Sequence, residues 1–304
     1  MPAERPITLD KIGEDKLVAM LIRSLPQGAD VRVAAGDDCA VVGRPDAASW
    51  TLLKTDAVLE NVHFLPGEDA RRVGWKALCR AISDIAAMGG LPQHALVTLA
   101  VARNVELAWV RRLYFGLRRA AARFNVSIVG GETARSPGPI FINIALTGLV
   151  ERERCVLRSG GKAGDALFVT GKLGGSIGGK HLNFIPRLEE ARWLTEHFQL
   201  HAMMDLSDGV GADLPRLAAA SHCGFQIEPE RIPRSRGSSI EQALADGEDY
   251  ELLFALAPGA AEQLEHAWKN RFPKLPLTRI GSLTSRPSTS RQFPHGFDHF
   301  AKSR

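Results

Sequence analysis

Apolar residues recur at helical spacing near the start of the chain, where Leu17, Val18, Leu21 and Ile22 share one stripe of a helix predicted over Glu14 to Leu25. Pro26 and Gly28 close it. Two longer periodic stretches predict helices at about Ala70 to Met88 and Glu106 to Phe124. The first carries Val73, Leu78, Ile82 and Ile85 and stops at Gly89-Gly90; the second carries Trp109, Leu113, Leu117 and Ala120. Short apolar or alternating runs between them predict strands at Ala40-Val42, Thr51-Leu53, Ala95 to Val101, Val126 to Val129 and Ile140 to Val150. Beyond the charged segment from Glu151 and the turn-rich Gly160 to Asp165, the mixture resumes. A strand is expected at Ala166 to Thr170, helices at Leu188 to His197 and about Ala212 to Ser221, and a strand at Tyr250 to Leu256. Strands interleaved with helices of this length predict a mixed α/β (α+β) fold. The break near Val150 divides it into domains 1–152 and 153–304. The tail from Ser285, rich in Ser, Pro and Arg, is expected to be loosely ordered.

Composition narrows this picture only slightly. The 304 residues are 45% hydrophobic and 24% charged, ordinary for a globular protein. The net charge of +4 favours anionic ligands such as nucleotides, but the Arg pairs at 71-72, 111-112 and 118-119 read as solvated helix faces, not a nucleic-acid stripe. Cys39, Cys79, Cys155 and Cys223 form no CxxC pair and are read as free thiols of a reducing compartment. The first residues, MPAERPITLDKIGEDK, hold no apolar signal core, and no apolar run reaches the roughly 18 residues of a membrane span. A cytoplasmic protein is expected, with neither membrane nor nucleic acid as partner.

The informative chemistry is a series of acidic residues at the ends of apolar segments. They are Asp37-Asp38 in GDDCAVV, Asp56 in TLLKTD, Asp84 in AISDIAAMGG, Glu132 in VSIVGGET, Asp205 and Asp208 in MMDLSDG, and Glu248-Asp249 in DGEDYELLF. Any one of them reads first as a helix cap or turn residue. As a set, with glycines beside most members and the hydroxyls of Thr55, Ser83 and Ser207 near by, they predict a hard-oxygen environment for Mg²⁺ shared with phosphates, hence phosphoryl transfer. The Gly-rich VTGKLGGSIGGK offers backbone N–H groups to phosphate but is neither a Walker A loop nor GxGxxG, and an ordinary turn reads equally well. No HExxH pair, GxSxG elbow or Ser-His-acid spacing is present, and His63 alone reads as a structural hydrogen bonder.

The motifs, taken in order, resemble those of the thiamine-monophosphate kinases, in the superfamily that includes aminoimidazole ribonucleotide synthetase. The resemblance is carried by GDDCAVV, KTDAVLENVHF, AISDIAAMGGLP, VGGETARSPGP, VLRSGGKAGDALFVTGKLGGS, MMDLSDGVGADL, DGEDYELLF and GFDHF, which span nearly the whole chain. SDIAAMG is shared with related enzymes; VHF, DLSDG, GEDYELLF and a terminal GFDHF together mark this branch. The resemblance implies a two-domain synthetase-like fold and a homodimer in which the N-terminal sheets join across the two-fold axis. It implies ATP-dependent phosphorylation of thiamine monophosphate with several Mg²⁺ and no phosphoenzyme. It further implies that Asp38, Thr55, Asp56, Asp84, Glu132, Asp205 and Asp208 serve the metals. Gly131, Arg158, Ser207 and, on a looser match, Tyr114 would serve ATP. His63, Glu248 and Phe297 would serve thiamine phosphate.

The chain departs from the family pattern in places. Glu132 stands where Asp is usual, Lys54 where Ser often meets a metal, and LGGS lacks the acid that often precedes its Ser; the segment from Lys180 to Met203 is short. An ammonium at Lys54 would replace the charge of one cation. Two other readings stay open. One is a sister enzyme such as selenophosphate synthetase or a hydrogenase-maturation ATPase, against which stands the lack of a reactive Cys in a Gly-rich N-terminal segment. The other is a non-catalytic or altered-specificity nucleotide and thiamine-phosphate binder.

Overall fold

The computed structural model describes residues 7–286, 296–297 and 299–300. Two short helices, α1 (Leu9–Ile12) and α2 (Glu14–Ile22), lead into β1 (Val31–Val33), β2 (Ala40–Val42) and β3 (Ser49–Leu59). Helix α3 (Ala70–Ala87), β4 (Leu91–Val101), α4 (Leu107–Phe124), β5 (Ser127–Arg135) and β6 (Phe141–Glu151) complete the first half. Its six strands run in the order β1-β2-β3-β6-β4-β5, antiparallel except where α4 crosses between the parallel β4 and β5.

Among the described residues this sheet is covered by helices on one side only, and its alternation shows it. Leu52 and Val58 of β3, Ala95, Val97 and Leu99 of β4, and Ile142, Ile144 and Leu146 of β6 are buried toward α3 and α4. Leu53, Leu96 and Leu149 are exposed on the opposite face. Helix α3 starts at Asp69, whose carboxylate accepts the Arg71 N–H at 3.1 Å. It crosses α4 closely because Gly74 and Gly116 face the partner backbone: a Cβ on either would sit 2.1 or 2.0 Å from a carbonyl oxygen of the other helix.

The second half holds β7 (Ala166–Thr170), α5 (Leu188–His197), β8 (Leu200–Asp205), α6 (Val210–Ala220), β9 (Gly224–Ile227), α7 (Ile240–Ala245), β10 (Leu252–Leu256), α8 (Ala261–Arg271) and β11 (Leu277–Thr284). The strands form an antiparallel sheet in the order β8-β10-β7-β11-β9. Every residue of β7 and β10 is buried, because α6 and α7 cover one face and α5 and α8 the other. Unbroken apolar runs such as ALFVT and LLFAL are the mark of a strand covered on both faces.

Helix α3 joins the halves. Trp75 Nε1 donates to the Phe184 carbonyl at 2.7 Å, Arg72 to the Gly179 carbonyl at 2.8 Å, and Ser83 Oγ to Asp205 at 2.5 Å. The helix is therefore buried nearly all round. Expected and observed elements differ mainly at their ends. β3 runs on through Lys54-Thr55-Asp56, and β5 reaches Arg135, because pairing with β6 and β4 overrides weak local signals. β10 begins at Leu252 instead of Tyr250, since Tyr250 has φ +52°. The tail expected to be loosely ordered falls largely on 287–295 and 301–304, outside the described residues. Among the described residues no helix is long and apolar enough to cross a membrane.

Candidate active site between the two sheets

Three carboxylates from distant parts of the chain converge. Asp38 comes from the loop before β2, Asp84 from the last turns of α3 and Asp205 from the end of β8; one oxygen of each lies within 4.8 Å of the others. All three residues are buried. Burial, with Asp38 close by, pushes the Asp205 carboxyl up to about 7, and burial likewise drives Asp84 well above the usual carboxylate range. Asp38 Oδ2 is enclosed with no hydrogen-bond partner. Three hard oxygens and an orphaned buried acceptor fit a divalent cation, which would also offset the mutual repulsion.

Cations and hydroxyls of the protein surround this cluster. Arg158 Nη2 lies 2.5 Å from Asp38 Oδ1, and its backbone N–H donates to Asp37 at 3.1 Å. Burial, then the Asp38 charge, raise the Asp37 carboxyl to about 6. Strand alternation puts Lys54 and Asp56 on the α3 side of β3, where Lys54 Nζ meets Asp84 at 2.6 Å and Arg80 meets Asp56 at 3.2 Å. Asp208, in the loop after β8, is held by Arg216 at 2.5 Å, and its N–H donates to Asp213, a buried carboxylate of α6.

A second group of side chains lies one to two turns earlier on α3. Lys76 is fully buried and donates to the His63 carbonyl at 2.6 Å and to the Glu248 carboxylate. Burial lowers its ammonium to about 8 despite the Glu248 charge. His63 Nδ1 accepts the Leu59 N–H at 3.0 Å, so the neutral ring carries its proton on Nε2. Its ring centroid lies 5.4 Å from that of His299, which stands edge-on to Phe297 at 4.9 Å. Phe297 N–H donates to the Asp208 carbonyl at 3.1 Å, and Glu248 N–H to the Ser207 carbonyl at 2.6 Å. The loop 206–209 thus touches both groups.

Of the residues singled out in the sequence, Asp38, Asp84 and Asp205 meet directly. Arg158 pairs with Asp38, whereas Asp56 and Asp208 are held instead by Arg80 and Arg216. His63, Glu248 and Phe297 line the neighbouring group with Ser207 beside them. The Thr55 hydroxyl lies on the open face of the sheet, donating to Asn143 at 3.0 Å, away from the carboxylates. Glu132 is exposed on the edge strand β5. Gly131 precedes it at φ +156°, where a Cβ would fall 1.9 Å from the Val97 oxygen of β4, so only glycine fits. Tyr114 packs, partly buried, against the N-terminal core. Sequence reasoning missed Lys76, Arg80, Asp213, Arg216 and His299. Lys76, Arg80 and Asp84 carried a signal: they repeat every fourth residue on a helix that, from Val73 onward, is otherwise apolar or small, a polar stripe aimed inward.

Comparison with known proteins decides the family. The AIR synthase related protein N-terminal domain model matches residues 36–150, and its C-terminal counterpart matches residues 162–293. A thiamine-monophosphate kinase of Rhodopirellula baltica is 38% identical, covering 91% of this chain and 93% of that protein. One from Aquifex aeolicus is 32% identical over 96% and 99%. The chain belongs to the thiamine-monophosphate kinase family. Within it, the solved structure of AaThiL complexed with AMPPCP and TMP superposes with a TM-score of 0.81 at 31% identity, covering 97% of this chain and 99% of that one. The hydrogenase maturation protein HypE in complex with ATP shares the fold at 18% identity and a TM-score of 0.66.

Proposed function

We propose that this chain is a kinase that phosphorylates thiamine monophosphate to thiamine diphosphate at the expense of ATP. The observation that carries the proposal is the convergence of Asp38, Asp84 and Asp205 around an orphaned acceptor, beside the His63, Glu248 and Phe297 group. In the reaction an oxygen of the acceptor phosphate forms a bond to the γ-phosphorus while the β,γ-bridging bond breaks, in line and with no phosphoenzyme. The protein's contribution is to orient the two phosphates and hold the charge between them.

Mg²⁺ would be held by Asp38, Asp84 and Asp205, with Asp56 and Asp208 as flanking acids. Thr55, whose hydroxyl faces the open side of the sheet, and Glu132, exposed on the edge strand, are family positions outside this cluster. When bound, Mg²⁺ would supply charge neutralisation at the transferred phosphoryl group. Arg158, Ser207, Gly131 and Tyr114 are the positions proposed for ATP. Glu248 suits a cationic thiazolium and Phe297 an aromatic ring, with the neutral His63 beside them. The separation of the two sheets, with β6 ending at Glu151 and β7 beginning at Ala166, supports a division at 152/153. The uncovered sheet face with Leu53, Leu96 and Leu149 supports a homodimer formed sheet to sheet. Four free thiols and ATP as co-substrate fit the cytoplasm.

The test is ADP release from the purified protein with Mg-ATP, with and without thiamine monophosphate, together with mass detection of the diphosphate. Matched ADP and diphosphate are expected. A folded protein that binds both ligands and releases neither product would favour a non-catalytic binder, a reading that the Lys54–Asp84 and Arg80–Asp56 pairs motivate.

A further inference from the structure

Two of the cations around the carboxylates differ from the rest. Arg158 and Arg216 reach in from outside the layer formed by the N-terminal sheet and α3, and each divides its guanidinium: Arg158 between Asp37 and Asp38, Arg216 between Asp208, Asp213 and Asp15. Lys54 and Arg80 arise within that layer, one from the inner side of β3 and one from the polar stripe of α3. Each ion-pairs with a single carboxylate. Lys54 Nζ sits 2.6 Å from Asp84 Oδ1, and Arg80 Nη2 sits 3.2 Å from Asp56 Oδ1 while its Nη1 donates to the Ala57 carbonyl at 2.8 Å. All four side chains are mostly enclosed. Clustered carboxylates need compensation from somewhere, and a fixed ammonium or guanidinium supplies it as a metal ion does.

We infer that Lys54 and Arg80 are built-in cations of this site, standing in for a divalent ion at Asp84 and Asp56, so that the protein's own carboxylates bind one divalent ion, on Asp38, Asp84 and Asp205. Asp56 lies outside the convergent group, and its carboxylate meets Arg80 instead. The inference rests on the phosphoryl-transfer reading of the site and adds to it a reduced metal complement set by two residues. Both are positioning residues, acting on carboxylates instead of on substrate.

Counting Mn²⁺ tests it. The full-length, nucleotide-free protein is titrated with Mn²⁺, and the free ion is followed by its paramagnetic resonance signal. Wild type is expected to bind one Mn²⁺ tightly per chain. Lys54→Ser and Arg80→Met are each expected to bind a second ion or to bind the first at least tenfold more tightly; Lys54→Arg is expected to match wild type. Thermal unfolding in EDTA and in Mn²⁺ gives a second reading, since the neutral variants should regain more stability from the ion than wild type does. Two or more tight ions in wild type would overturn the inference whatever the variants do. So would natively folded Lys54→Ser protein that binds Mn²⁺ no better than wild type. If the diphosphate forms while the counts stay flat, the kinase reading stands and this inference falls. If the counts move and no diphosphate forms, the reverse holds.

Discussion

The ammonium of Lys76, fully buried on α3, is tied to the carboxylate of Glu248, which precedes β10 in the other half of the molecule. Glu248 itself has φ +56°, an unusual backbone for a non-glycine residue, and its N–H is fixed to the Ser207 carbonyl. One lysine therefore sets the orientation of two residues proposed to meet thiamine phosphate, His63 through its carbonyl and Glu248 through its side chain. Lys76→Met leaves Glu248 without its counter-charge and should cost roughly 3–5 kcal/mol of stability. The urea midpoint checks this, and a rise in KM for thiamine monophosphate larger than the fall in kcat is the expected kinetic effect.

His63 gives a pH dependence of known sign. Burial, reinforced by Arg80, Lys76 and His299, holds its folded-state value at about 2, against 6.5 for the free side chain. The unfolded chain takes up a proton below pH 6.5 and the folded chain does not, so this residue's contribution to stability is lost as pH falls below 6.5. The slope is at most about 1.4 kcal/mol per pH unit. His63→Gln should remove that slope. Urea midpoints of both proteins between pH 7 and pH 4 decide it: a stability gap that does not change with pH would refute the assignment.

Asp205, proposed to help hold a divalent ion, gives a second pH dependence. Its folded-state carboxyl is raised to about 7, so the wild type loses stability as pH rises from 3.8 through 7. At pH 8 in EDTA, Asp205→Asn should be the more stable protein, by roughly 1–3 kcal/mol. Its turnover should fall at least ~100-fold, the scale of losing one group aimed at developing charge. Mg²⁺ should raise the melting temperature of wild type and leave that of the variant nearly unchanged.

The uncovered face of the first sheet predicts its own partner. Leu53, Leu96 and Leu149 project from neighbouring strands on the side that no helix of the described residues covers. Leu96→Glu places a charge in the middle of that face and should shift the protein from dimer to monomer by analytical ultracentrifugation. A variant that sediments as wild type, or a wild-type monomer, would refute a dimer built on this face.

Much of the site is legible in the sequence. Asp38, Asp84 and Asp205 stand out there because carboxylates beside apolar runs need partners. The ends of β3 and β5 are not legible, since their extension depends on pairing with β6 and β4 and not on local composition. Adjacency groups Thr55 with Asp56, but neighbours on a strand point to opposite faces, and the Thr55 hydroxyl turns away to Asn143. Lys76 and Arg80 read as ordinary helix charges unless α3 is known to be covered on all sides.

Periodicity, residues that stop a helix and short segments whose chemistry is local are enough to specify the mixed α/β class, the helices α3 and α4 and the motif set that marks the family. All of these are properties of neighbours along the chain. Tertiary structure alone decided which carboxylates converge and which protein cations, Lys54, Arg80, Arg158 or Arg216, answer them. It also decided that Lys76 would bridge His63 and Glu248. Charge compensation depends on distances of a few ångströms between residues far apart in the chain, and only the packing of α3 between two sheets sets those distances.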